Sequence, residues 1–263
     1  MAVHEAYARV TPYELLQPDE GWLEQHFPSV ADEARQRGTD PWNPAAFAML
    51  GAVGAAVGDL SPEDVAPGGD HGLAVYFTYH IWNTGADLAF ATTDAVRTAV
   101  SGVSSGTETV GQDSWAAFVG RAGYVQLPQH LVWLESDGED GPESIDGLFW
   151  AASPRQVLQV ALVAGIRPDR PGFVLVPVPP QPLLELDGWR GEPAREGGGD
   201  FQSDLPGAEL EGLLGLKTPA EAIKLAVGLL GLRARANGTE AVVASGEGER
   251  GSPPRSNLAY RVL

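Results

Sequence analysis

SPRQVLQVALVAGI, from Ser153 to Ile166, reads in two ways, and the choice between them sets the fold. Ser153-Pro154-Arg155-Gln156 matches a capping box, in which the serine hydroxyl accepts the N3 amide and the glutamine reaches back to the cap; VLQVALVAG would then be a helix. Against this stands a nearly unbroken series of β-branched and leucine positions, which fits a central strand covered on both faces. We read a strand, with the helix as its rival.

The surrounding sequence supports the strand. GYVQLP, HLVWLES, DGLFWAAS and GFVLVPVP are further short apolar runs rich in Val, Leu, Phe and Trp, separated by Gly, Pro, Asp and Ser. The acidic loop DGEDGPESID between Trp133 and Phe149, and RPDRPG between Ile166 and Phe173, would each join neighbouring antiparallel strands. Pro177, Pro179, Pro180 and Pro182 close the region, because proline cannot donate to a central ladder.

Helical signals flank this sheet. Thr11-Pro12-Tyr13-Glu14 fits a capping box, PSVADEARQRG ends in basic residues and a glycine stop, and Asn43-Pro44 opens AAFAMLGAVGAAVGDL at helical spacing. HGLAVYFTYHIWNTG is apolar on nearly every side and reads as a buried helix, and Thr93-Asp94 starts another. Thr218-Pro219-Ala220-Glu221 is the best helix start in the chain, with a stop at Asn237-Gly238.

The expected class is α+β: an N-terminal helical half, a central mostly antiparallel sheet of four to five strands from 115 to 182, and a C-terminal helix packed on the sheet. The divisions drawn from the sequence are a mainly helical lobe over 1–110, the sheet with a long loop and helix over 111–237, and a flexible tail over 238–263.

Composition removes several function classes. The 263 residues carry 35 acidic and 17 basic side chains, a formal charge of −18, and no basic run, so neither nucleic acid nor an anionic membrane is an expected partner. With no cysteine there is no disulfide, thiolate metal site or cysteine nucleophile. The histidines His4, His26, His71, His80 and His130 include no i, i+4 pair, so no metal site or cofactor is assigned. No secretory signal or 18-residue apolar span is read, and a cytoplasmic location is expected.

The chemical motifs are weak. Gly102-Val103-Ser104-Ser105-Gly106 matches the nucleophile elbow, but a helical segment stands where a strand is needed. Arg195-Glu196-Gly197-Gly198-Gly199-Asp200 lacks the Lys-Ser or Lys-Thr of a phosphate loop, and Asn237-Gly238-Thr239 reads as a turn.

Two function classes follow. One is an accessory or adaptor protein that contacts another protein, with Trp189, Arg190 and Phe201 of the long loop as binding candidates; a homo-oligomer is also allowed. The other is a hydrolase or transferase using His80 and His130 in a cleft between the helical lobe and the sheet. His130 follows a strand break at Pro128, a place where bulges re-aim side chains, whereas His80 lies among Tyr76, Tyr79 and Trp82, where a core histidine is ordinary.

Overall fold

Ser153-Pro154-Arg155-Gln156 forms a hairpin turn, not a helix cap. The Gln156 amide donates to the Ser153 carbonyl at 2.9 Å, the Ser153 hydroxyl accepts from Val157 N at 3.1 Å, and Gln156 takes a left-handed φ of 62°. That is a three-residue hairpin loop, with the residue before the second strand in the left-handed region. The run after it is strand.

The computed structural model describes residues 11–15, 35–48, 71–105, 115–135, 141–165, 174–186, 201–235, 241–243 and 259–263. Its strands are β1 (Asp87–Phe90), β2 (Arg121–Gln126), β3 (Val132–Leu134), β4 (Glu143–Ala152), β5 (Val157–Ala164), β6 (Val174–Pro182), β7 (Leu214–Leu216), β8 (Ala241–Val243) and β9 (Ala259–Val262). The helices are α1 (Pro12–Leu15), α2 (Pro44–Ala48), α3 (His71–Thr84), α4 (Thr93–Ser105), α5 (Leu183–Leu186), α6 (Ala208–Glu211) and α7 (Pro219–Arg235).

All nine strands belong to one mixed sheet, with the main order β6-β5-β4-β2-β1-β9-β8 and β3 and β7 joined through β4. The antiparallel part, β2 to β6, is the five-stranded region expected from sequence. The sheet is mostly antiparallel, as expected, in five of its eight described pairings, but the expected four to five strands need correction: the described sheet has nine, and it is mixed, with β1 parallel to β2 and to β9 and β3 parallel to β7. The parallel step from β1 to β2 is made through α4, because parallel neighbours need a crossover connection.

Strand alternation divides the core into two layers. Tyr124, Phe149, Ala161 and Val163 face α3, while Val125, Leu148, Trp150, Val160 and Leu162 face the opposite side. On that opposite side α4 and α7 pack together, so closely that a Cβ on Gly228 would lie 2.7 Å from the Ala99 carbonyl oxygen. Because helices cover both faces, β5 is apolar at almost every position.

Helix α3 is buried from Leu73 to Ile81, as its all-round apolar sequence requires. Helix α7 starts as a true capping box: Glu221 accepts from Lys217 N and Thr218 N at 2.6 and 2.9 Å, and the Thr218 hydroxyl accepts from Glu221 N at 3.3 Å. Its other end is held by Arg233, whose Nε and Nη2 donate to the two oxygens of buried Asp87 at 2.9 and 3.0 Å.

Strand pairing crosses both sequence divisions: β1, before residue 110, pairs with β2 after it, and β9, after residue 237, pairs with β1 and β8. Tyr260 on β9 is buried and its hydroxyl hydrogen-bonds the hydroxyl of Thr11 at 2.7 Å. A four-residue strand gives too short a pattern to read alone, and only its neighbours in the sheet define it.

Candidate functional site

A cleft of about 630 Å³ opens where the chain before α2 crosses the hairpin end of β4–β5 and the edge strand β6. One wall is Asp40, Trp42, Asn43, Pro44 and Ala45, completed by Gly72 and Leu73 at the start of α3. The facing wall is Ser153, Arg155, Val157 and Gln159, with Pro177, Val178 and Pro180 of β6 beside them.

The first wall is rigid for local reasons. Asp40 accepts from Trp42 N at 3.1 Å through Oδ1, and the Asp40 carbonyl accepts from Asn43 N at 3.1 Å, a turn capped by its own side chain. Asn43 then caps α2, its Oδ1 accepting from Ala45 N and Ala46 N at 3.0 and 3.3 Å.

Two α3 side chains clamp this turn from behind. The Tyr76 hydroxyl donates to the Trp42 carbonyl at 3.0 Å, and His80 Nε2 lies 2.8 Å from the Pro41 carbonyl. A carbonyl only accepts, so Nε2 carries the hydrogen and Nδ1 the lone pair; Nδ1 is buried with no hydrogen-bond partner among the described residues. The His80 ring stacks on Trp42 with centroids 4.0 Å apart. Burial pushes the His80 pKa down to about 4, against the upward pull of the Pro41 carbonyl and the Asp40 carboxylate. His80 is therefore neutral and holds the cleft wall.

Three of the polar lining residues have side-chain oxygens engaged within the walls. Ser153 and Asn43 bond backbone amides, and Asp40 Oδ2 faces Arg155 Nε at 3.5 Å. The Arg155 side chain is 79% exposed and that of Asp40 27%, so this ion pair sits at the rim.

The histidine pair named from sequence is not brought together. His80 lies one turn before Thr84, whose hydroxyl accepts from Ala122 N at the start of β2; His130 follows the far end of β2, roughly 16 Å of strand away. His130 is exposed, with a left-handed φ of 58°, its ring stacked on Trp133 and its carbonyl accepting from Trp133 Nε1 at 2.9 Å. The break at Pro128 is a turn, and neither His80 nor His130 is among the residues lining the cleft.

Phe201 is 2% exposed and belongs to the core on the α4–α7 side of the sheet; Trp189 and Arg190 lie outside the described residues. Gly102 to Ser105 end α4, so helix, not strand, precedes Ser104. Among the described residues, no three acidic or histidine side chains gather as a metal site, and no helix is long and apolar enough to cross a membrane.

Sequence reasoning passed over Trp42 and Asp40. The available signal was Asp40-Pro41-Trp42-Asn43-Pro44, a tryptophan fixed between two prolines in a turn that its own aspartate and asparagine can cap. Compared with known proteins, the chain matches no family model, no curated protein and no solved structure.

Proposed function

We propose that this chain is a non-catalytic binding protein that receives a segment of another protein in the cleft between Trp42 and the β4–β5 hairpin. The observation that carries the reading is the lining itself. Trp42, Leu73, Val157, Val178 and three prolines offer apolar surface, while Ser153 and Asn43 have their oxygens tied to backbone amides. A small polar substrate needs convergent free donors and acceptors to orient it; an apolar segment needs shape and area.

The edge strand narrows the mode of docking. Among the described residues β6 ends the sheet, and it carries Pro177, Pro179, Pro180 and Pro182, which lack the amides a partner strand would pair with. A partner therefore engages by inserting side chains, not by adding a strand.

Site-specific photo-cross-linking tests this. A benzophenone side chain at Ala45, on the cleft wall, should capture one defined protein in the cell of origin, and Ala45→Trp, which fills the cleft, should abolish that protein's association. A partner captured equally well from exposed Gln129, or retained by the filled cleft, would refute the reading.

A further inference from the structure

The structure assigns a charge to the docked segment: we infer that it is basic, presenting an arginine or lysine to Asp40 beside the apolar residue that enters the cleft. This rests on the binding role proposed for the cleft. Three observations converge on it.

First, Asp40 is the acidic side chain of the lining, and its Oδ2 faces the cleft rim where Arg155 meets it. Second, that contact is loose. It is a single approach at 3.5 Å from an arginine 79% exposed, in contrast to the buried two-point pairing of Arg233 with Asp87 at 2.9 and 3.0 Å. An exposed pair of this kind is worth little, so a competing cation displaces Arg155 at small cost. Third, the chain carries a formal charge of −18, which draws a cationic segment in and repels an acidic one.

Arg155 then acts as a placeholder. In the empty cleft its guanidinium partners Asp40; in the occupied cleft the incoming cation takes that position and Arg155 moves into solvent. An incoming planar guanidinium can make the two-point contact that Arg155 does not, and Trp42, held by its stacking on His80, supplies an aromatic ring near by. Gln156 and Ser153 fix the backbone on either side of Arg155, so the side chain can leave without unfolding the turn.

The probe is an array of nonapeptides with randomised apolar and proline flanks and a fixed central Arg, Lys, Gln or Glu, incubated with the intact chain. The wild type should retain Arg- and Lys-centred peptides about tenfold over Gln-centred ones and more strongly still over Glu-centred ones, with the preference shrinking as salt rises. Asp40→Asn keeps the oxygen that accepts from Trp42 N and should erase the preference. Arg155→Ala removes the internal competitor and should raise retention of basic peptides about threefold.

Equal retention of Gln- and Arg-centred peptides by the wild type, lost in Ala45→Trp, would overturn the charge inference and leave the cleft as the binding site. No retention, or retention undiminished in Ala45→Trp, would overturn both. A melting curve for each variant, matching the wild type, establishes that its binding is read on folded protein.

Discussion

His80 lies flat against Trp42, ring centroids 4.0 Å apart with planes at 26°, while its Nε2 hydrogen reaches the Pro41 carbonyl at 2.8 Å. Tyr76, Tyr79 and Phe47 enclose the rest of the ring, and Asp40 is the charge that acts on it. Holding the imidazole neutral has a pH consequence. Its pKa falls from 6.5 to about 4 on folding, so between those values the unfolded chain binds a proton that the folded chain does not. The stability contribution is complete above about pH 6.5 and is lost as pH falls toward 4, at most roughly 3 kcal/mol.

Urea unfolding of wild type and His80→Gln, stepped through this range, isolates the effect from the many carboxylates that titrate in both proteins. The wild type should lose about 2–3 kcal/mol more than the variant on acidification. Parallel loss in the two proteins would show that His80 is not the buried neutral group.

The Asp87–Arg233 pair joins the start of β1 to the last turn of α7, and Arg121 adds a contact to Asp87 at 3.0 Å. Asp87→Ala leaves the Arg233 guanidinium buried without its counter-charge, and should cost about 3–5 kcal/mol in urea unfolding. Asp87→Leu with Arg233→Met should cost much less, because no uncompensated buried charge remains, the Arg121 side chain being 41% exposed. Equal losses in the single and double variants would place the cost in packing instead.

How much of this was legible in sequence follows the range of the contacts. The α7 start was readable because a capping box is complete within four residues, Thr218 to Glu221. α3 was readable from an apolar circumference, and β2 to β6 from apolar runs between turn residues. β1 and β9 were not, because each is four residues long and its identity lies in partners far along the chain. Ser153 to Gln156 satisfies a helix cap and a hairpin turn equally on paper; the β4–β5 ladder, from Ala152 with Leu158 outward, selects the turn. His80 was visible as a buried histidine, but its partner, the Pro41 carbonyl 39 residues earlier, was not.

The β1–β2 junction makes a prediction of its own. Gly123 pairs with Asp87, and a Cβ there would lie 2.2 Å from the Asp87 carbonyl oxygen and 2.6 Å from the Trp150 indole. Neither can retreat without opening the parallel ladder or moving a core tryptophan. Gly123→Ala should therefore destabilise by about 3 kcal/mol or more, despite adding a single methyl. Gly120→Ser, with open space around it and a positive φ of 72°, should cost only about 1–2 kcal/mol of backbone strain. If the Gly123→Ala midpoint matches that of Gly120→Ser, the close packing at β1–β2 is wrong.

The hairpin that settles the fold also holds a correctable strain. Gln156 is exposed, with a left-handed φ of 62°, and no hydrogen bond of its side chain is formed with the turn; its backbone amide and carbonyl bond Ser153 and Leu183 at 2.9 and 2.7 Å. A non-glycine residue pays about 1–2 kcal/mol for that conformation, and glycine avoids it while keeping both backbone bonds. Against this, glycine adds entropy to the unfolded chain, so Gln156→Gly should stabilise by about 0.5–1 kcal/mol net. The reverse reading, with Ser153 capping a helix through Gln156, requires the opposite sign, because glycine in a first helical turn lowers helix stability. The sign of the shift in the thermal midpoint thus distinguishes the two readings of SPRQVLQVALVAGI in solution: a rise supports the hairpin, and a fall, matching a loss of about 1 kcal/mol of stability, would restore the helix.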